Sequence, residues 1–225
     1  MKIKKRVYLF IILLSLTLYV LGVITGSRIQ NFFYSMTLSE IEVLKNNLKE
    51  LQNNLDSWKT QQVFLSNLDK DKRCEFLSTL FNNSQDKLSY YWSVLPQRLE
   101  EYETETAKSP EYENLKTDYM RISLDVWTLS LQIEKECNQN FIPLLYFYSS
   151  SKESIQQGEE LDKLKELAHT KNKTTVVFTV DFNSNEAFLN MIKTTFKIDT
   201  APSLLVENRV FTGLTTSENL AKSIL

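Results

Sequence analysis

The stretch from Leu144 to Gly158, LLYFYSSSKESIQQG, constrains the fold of this chain more than any other part of its sequence. The apolar and aromatic residues from Leu144 to Tyr148 predict a buried strand, and the serines that follow predict its end. The Lys-, Glu- and Gln-rich run that continues to His169 predicts a helix. The chain must therefore pass from a strand through a short turn directly into a helix.

The sequence beyond this unit reads TVVFTVDFN, a short helical stretch, TAPSLLVENRVFTG and a last helix. This order resembles the thioredoxin fold over about the final 85 residues. In that family the turn carries Cys-x-x-Cys, and the alignment places Ser151 and Ser154 at the two cysteine positions. The resemblance implies a redox-inactive thioredoxin-like domain, since a serine hydroxyl can neither attack a disulfide nor resolve a mixed one.

The serines from 149 to 151 are interpreted as turn and N-cap residues, which satisfy the first N–H groups of the helix. A serine that acts as an acyl-transfer nucleophile needs a base within hydrogen-bond reach. The single histidine, His169, lies ~25 Å farther along the same predicted helix, at 1.5 Å per residue. We therefore expect no catalytic residue at this turn.

The segment Thr200-Ala201-Pro202-Ser203 resembles the loop in which thioredoxins place a cis-proline opposite the active turn. The resemblance implies that an extended peptide can lie across Ser151 and Ala201 by strand-like hydrogen bonding. The alternative is that Pro202 only begins the next strand. Both interpretations remain open on the sequence alone.

The N-terminus predicts a membrane anchor. Four basic residues lie within Met1–Arg6, and the run from Val7 to Gly26 carries no charge. About twenty apolar residues match the ~30 Å hydrocarbon core of a bilayer. The charge bias predicts a single-pass signal anchor with its N-terminus in the cytoplasm and the bulk of the chain outside. A cleaved signal peptide is the alternative.

The region from 27 to 140 is predicted to be helical, so the expected parts are an anchor (1–26), a helical or coiled-coil region (27–140) and a thioredoxin-like domain (141–225). A three-four spacing of apolar residues predicts a seam: Ile41, Leu44, Leu48, Leu51, Leu55 and Trp58. Such a seam suits a coiled-coil homodimer, and it equally suits a helix that folds back on its own chain. Further helices are expected over Asp69–Phe81 and Leu88–Tyr102, with a kink or restart at Pro96, and another from Ser109.

The two cysteines, Cys74 and Cys137, fall on the apolar sides of separate predicted helices. In an oxidising compartment such a pair tends to form a disulfide. Two buried free thiols and a displaced redox pair are the alternatives.

The composition excludes some classes of function. A net charge of −2 gives no basic face for nucleic acid. One histidine and two cysteines cannot supply the usual four-ligand zinc site, and four glycines leave little from which to build a phosphate-binding loop. We expect no metal, no cofactor and no nucleic-acid partner.

Together these patterns predict a membrane-anchored, extracytoplasmic interaction or scaffolding protein that presents a non-catalytic thioredoxin-like domain to an unknown protein partner. One rival is a thiol-disulfide oxidoreductase or isomerase that works through Cys74 and Cys137. Another is a purely structural coiled-coil spacer. The sequence does not identify the partner.

Overall fold

The computed structural model of the chain describes residues 15–16, 19, 42–43, 45–57, 59–60, 62–105, 110–137 and 140–225. The side chains of residues 62, 89–105 and 110–113 are not among those described. Contacts divide the chain into two compact units, Met1–Leu44 and Lys45–Leu225. The helices and strands named below belong to the second unit. The boundaries predicted after residues 26 and 140 remain predictions.

The predicted transmembrane anchor is contradicted by the structure. In the part of the chain that the structure describes, no helix has both the length and the apolar character needed to cross a membrane. The longest helix that the structure describes, for example, begins with the four charged residues KDKR. A membrane span instead needs about 20 predominantly apolar residues. The same finding contradicts the predicted single-pass topology, in which most of the chain lies outside the cytoplasm. Apart from Ser15, Leu16 and Tyr19, the predicted span lies outside the described residues.

The first half of the second unit is helical. Its elements are α1 (residues 45–57), α2 (Gln62–Ser66), α3 (Lys70–Glu105) and α4 (Pro110–Cys137). The two helices expected over 69–102 are one helix, α3, which does not restart at Pro96. Ser84, between the two expected helices, donates its hydroxyl back to the Leu80 carbonyl at 2.8 Å, a bond compatible with a continuous helix. α4 begins at a proline, whose fixed φ suits the first helical position.

Helix α1 packs against the helices that follow it. Glu50 on α1 pairs with Lys87 on α3 at 3.0 Å, and Lys59, which is also helical, pairs with Asp125 on α4 at 2.7 Å. Three leucines of the predicted seam are at most 2 % exposed within the single chain: Leu48, Leu51 and Leu55. This described part of the seam therefore packs within its own chain, and a homodimer through the seam remains a prediction. The other three seam residues, Ile41, Leu44 and Trp58, lie outside the described residues.

The second half is an α/β layer. Its elements in order are β1 (Phe141–Tyr148), α5 (Lys152–Thr170), β2 (Thr174–Asp181), α6 (Ala187–Phe196), β3 (Ser203–Val206), β4 (Arg209–Thr212) and α7 (Ser217–Ile224). The sheet order is β2-β1-β3-β4. β1 and β2 are parallel, whereas β3 is antiparallel to both β1 and β4.

Strand β1 begins at Phe141, three residues before the predicted start, and includes Pro143. The Thr174 N–H, at the start of β2, donates to the Asn140 carbonyl, and the Phe182 N–H, just after β2, donates to the Tyr148 carbonyl. The backbone N–H and C=O groups of the even-numbered residues of β1 therefore point towards β2. The backbone nitrogen of Pro143, an odd-numbered residue, therefore faces the side of β3. Because β3 pairs only with residues 144–147, the missing N–H costs no sheet hydrogen bond.

The sheet is buried on both faces. One face packs against α5 and α7 in an apolar cluster that includes Ile142, Leu144, Tyr146, Leu161, Leu164, Leu220 and Ile224. On the other face Phe141 stacks on Phe81 of α3 with ring centroids 5.1 Å apart, and α4 contacts both β1 and β2. Each fully buried aliphatic side chain contributes roughly 1.5–3 kcal/mol. This packing holds β1 in place and thereby positions the turn at its end.

Candidate functional site

The candidate site is the turn between β1 and α5, where Ser151 is the N-cap of α5. Its backbone is extended, with φ −81° and ψ 154°, and its hydroxyl oxygen accepts from the Ser154 N–H at 3.2 Å. The helix begins at Lys152, because this cap satisfies one of the N–H groups that the first turn leaves without a partner. The cap role expected for Ser151 is therefore present.

The second serine, Ser154, is buried, with 4 % of its surface exposed. Its hydroxyl oxygen accepts from the Ser149 N–H at 3.0 Å and lies 3.2 Å from the Ser151 oxygen and 3.3 Å from the Ser149 oxygen. Tyr146 donates its hydroxyl to the Ser154 carbonyl. Ser154 is therefore tied into the turn on several sides.

Tyr146 keeps its proton in this network. Burial raises the pKa of Tyr146, and the hydrogen bond to Ser154 opposes that rise. The phenol is therefore a donor and does not serve as a base for a serine near pH 7. His169 is exposed and lies in the last turn of α5, at the opposite end of the helix. In this arrangement the serines have a structural role.

The Ala201–Pro202 loop lies at the same end of the sheet as the turn. Ser203, the first residue of β3, pairs with Phe147 near the end of β1. The Ala201–Pro202 peptide bond is cis, and the Pro202 carbonyl accepts from the Gly213 N–H at 2.8 Å. Pro202 is buried, whereas Ala201 is half-buried. The structure thus brings together the two segments that the sequence singled out.

The helical region also reaches this end of the sheet. Asp181, the last residue of β2, pairs with Tyr148 in the sheet register and forms an ion pair with Lys116 of α4. It also accepts from the Asn183 N–H at 2.9 Å. Sequence reasoning missed Lys116, because no local pattern connects a residue on α4 with one 65 positions later.

Helix α5 is anchored to the chain before α7 by Gln157. This side chain is fully buried, donates to the Thr215 carbonyl at 3.0 Å and accepts from the Thr215 N–H at 2.8 Å. Glu160 accepts from the Ser217 N–H at 2.7 Å. These bonds fix the start of α5 against the segment that follows Gly213, and Gly213 in turn bonds to Pro202.

Cys74 and Cys137 form a disulfide, with Cα atoms 5.5 Å apart. It joins the start of α3 to the last residue of α4, and the neighbouring Arg73 and Glu136 form an ion pair at 3.1 Å. Cys137 shortly precedes β1, whereas the serine turn follows it. The eight residues of β1, at ~3.3 Å each, span roughly 25 Å. The structure therefore does not bring the cysteines to the serine turn.

Among the described residues, no group of His, Cys, Asp and Glu side chains is arranged to hold a metal ion. No protein-family model matches the sequence, and neither a curated protein nor a solved structure matches the chain.

Proposed function

We propose that residues 141–225 form a thioredoxin-like domain without redox chemistry, which binds a partner protein and transforms no substrate. The order β1-α5-β2-α6-β3-β4-α7 around one four-stranded sheet supports this fold. The observation that carries the functional proposal is the state of the two serines. Both hydroxyls bond within the turn: that of Ser151 caps α5, and that of Ser154 accepts from the Ser149 N–H.

The exposed surface beside the turn supports partner binding. Ile155, in the first turn of α5, is 67 % exposed, and Leu214 is 47 % exposed. Leu214 follows Gly213, whose N–H bonds to Pro202, so it lies near the Ala201 loop. A peptide that pairs with the backbone of Ala201 would find apolar contacts on these two side chains. This is the peptide site that the sequence suggested across Ser151 and Ala201.

An oxidoreductase that uses Cys74 and Cys137 is the rival function. The disulfide links two helix ends and is separated from the serine turn by the length of β1. A structural bridge explains this placement without any chemistry. A standard assay of disulfide reduction distinguishes the proposed binding domain from the rival oxidoreductase.

The first experiment measures insulin reduction by the full chain in the presence of dithiothreitol. We expect the wild type and Cys74→Ser to give the same rate as buffer with dithiothreitol alone. A faster rate for the wild type that Cys74→Ser abolishes would establish the rival enzyme and refute the proposal.

The second experiment tests partner binding at the turn. A photo-reactive benzoylphenylalanine replaces Ala201 in the full chain, and irradiated cells of the source organism are searched for cross-linked protein by mass spectrometry. The matched control places the same group at Asp162, an exposed position in the middle of α5. We expect one recurrent adduct at position 201 that is absent at position 162. Identical adducts at both positions, or none at 201, would contradict a binding role for the turn.

A further inference from the structure

The outer edge of β4 is a surface that the site at Ser151 does not use. β4 is the last strand in the order β2-β1-β3-β4, so β3 is its one neighbour among the described strands. Arg209 and Thr212, at the two ends of β4, are exposed, and Val210 and Phe211 between them are half-buried. In the part of the chain that the structure describes, β4 therefore forms an accessible edge of the sheet.

The backbone groups of Val210 and Thr212 point away from β3. The Gly213 N–H donates to the Pro202 carbonyl, on the side of β3, at 2.8 Å. Because backbone groups alternate sides along a strand, the odd-numbered residues of β4 face β3 and the even-numbered residues face outward. Among the described residues, the N–H and C=O groups of Val210 and Thr212 form no hydrogen bond. Such a row of free donors and acceptors can pair with another strand.

β4 has few of the features that protect edge strands from pairing. Natural edges commonly carry Lys or Pro, contain a bulge or are covered by another element. The sequence of β4 is RVFT, and its register with β3 runs one residue to one without a bulge. Its single charge, on Arg209, is occupied within the chain, because the guanidinium donates to the Ser223 carbonyl and pairs with the Glu207 carboxylate at 3.1 Å. A partner strand would therefore meet no unpaired charge on β4.

The backbone conformation fixes how a partner strand can align with β4. Glu207 has a φ of 56° and Gly213 has a φ of 73°, so the chain is not extended at either position. Pairing is therefore limited to the residues between them, where Val210 and Thr212 of β4 offer the outward-facing groups. An antiparallel second β4 satisfies both residues when Val210 of each copy lies opposite Thr212 of the other. In this register a two-fold axis passes beside Phe211.

We propose that β4 pairs in antiparallel orientation with β4 of a second copy of the chain, which joins the two four-stranded sheets into one. Each opposed pair of Val210 and Thr212 exchanges two backbone hydrogen bonds, and the two-fold axis repeats every contact. The two Phe211 side chains, each packed against the cluster beneath α5 and α7, lie directly opposite each other. Arg209 of each copy lies opposite Gly213 of the other, so no like charges meet.

A second copy suits this edge better than an unrelated peptide. Any extended peptide could form the backbone bonds, but a second β4 also matches the length of the extended stretch and covers the half-buried Phe211 ring with an identical ring. Two four-residue strands bury less area than the ~1,600 Å² of a standard interface, so the dimer should be weak, with a dissociation constant on the order of 100 µM. The proposal does not depend on the function proposed for the turn at Ser151.

The first test combines analytical ultracentrifugation of the full chain, from micromolar to millimolar concentration, with NMR of the ¹⁵N-labelled chain. We expect a reversible dimer, and hydrogen exchange at the Val210 and Thr212 amides that slows as the concentration rises. The amides of Arg209 and Phe211 face β3 and provide the control, because their exchange should not depend on concentration. A monomer at millimolar concentration, or concentration-dependent changes confined to α1, would overturn the proposal.

A pair of variants at position 212 tests the backbone bonds. Thr212→Pro removes an outward N–H group and no bond to β3, and it should weaken the dimer by about tenfold, because each dimer loses two hydrogen bonds. Thr212→Val keeps the N–H group and should leave the dissociation constant unchanged. Circular dichroism checks that both variants fold. A dimer of unchanged strength in a folded Thr212→Pro variant would refute the pairing.

Cysteine cross-linking tests the register and does not need the proline variant to fold. Val210→Cys and Thr212→Cys are prepared separately and oxidised alone and as a mixture. The mixture should form the mixed disulfide faster than either variant alone cross-links, because Val210 lies opposite Thr212 and not opposite itself. Equal rates in all three samples would indicate random collision and would contradict the proposed strand pairing.

Discussion

The disulfide between Cys74 and Cys137 closes a loop of 63 residues that contains most of α3 and α4. In the chain-entropy model, a cross-link across a loop of this length removes unfolded-state entropy equivalent to about 4 kcal/mol at 25 °C. The Arg73–Glu136 ion pair beside the bond is partly exposed and contributes at most about 1 kcal/mol, so it cannot replace the bond. We expect Cys74→Ser/Cys137→Ser to lower the free energy of unfolding by roughly 2 to 4 kcal/mol.

Urea unfolding followed by circular dichroism measures this loss, from the midpoint and the slope of the transition. Reduction of the wild type with a phosphine should reproduce the effect of the double substitution, whereas the same reductant should not change the double variant. The single variants provide a further control, because each also lacks the bond. A loss below about 1 kcal/mol, or a wild type that is insensitive to reductant, would refute the argument that the bond acts by restricting the unfolded chain.

Three further predictions concern the turn, the anchoring of α5 and the helical region. Ser151→Cys/Ser154→Cys should form a reversible disulfide, and the first new thiol should titrate below the ~8.5 of a free cysteine, because the start of α5 stabilises a thiolate. The pKa of Glu160 is lowered from its ordinary value of 4.5 to about 2, and the largest cause is the hydrogen bond from Lys163. A carboxylate with a depressed folded-state pKa stabilises the fold above its unfolded pKa, so stability should fall between about pH 4.5 and 2, and less steeply in Glu160→Gln. Leu55→Ala should cost about 2 to 5 kcal/mol at every protein concentration, because its side chain is fully buried within one chain.

Each of these has a control and a contradicting result. A failure of the engineered cysteines to oxidise would show that the alignment with the thioredoxin turn is wrong. Glu166→Gln, an exposed acid on the same helix, should leave the pH profile of urea midpoints unchanged, and an equal effect would contradict the role of Glu160. Asn53→Ala, exposed on α1, is the matched control for Leu55→Ala. A loss of stability that grows on dilution would instead indicate an intermolecular seam.

Local patterns predicted the elements near the candidate site well. The serine cluster predicted the end of β1 and the start of α5, because a short side chain with an acceptor oxygen caps a helix whatever surrounds it. The start of β1 was misplaced, since a proline normally interrupts a strand. Pro143 is tolerated only because β3 is too short to pair with it, and the length of a neighbouring strand is absent from the local sequence.

The apolar run at residues 7–26 predicted a membrane anchor. This prediction is contradicted, because no helix in the described part of the chain is long and apolar enough to cross a membrane. The seam from α1 shows what a local pattern leaves open. Its spacing predicted an apolar stripe on a helix, whereas only the contacts of Glu50 and Lys59 with later helices identify its partner as the same chain.

The sequence by itself determined the elements whose causes are local: the strand before the serines, the cap at Ser151, the amphipathic helices and the two cysteines on apolar faces. Tertiary structure alone decided which elements meet. The ion pair of Lys116 with Asp181 and the separation of the disulfide from the serine turn by the length of β1 both depend on residues far apart in the chain. Such contacts depend on strand order and register, which result from the packing of the whole core and from no single segment of the sequence.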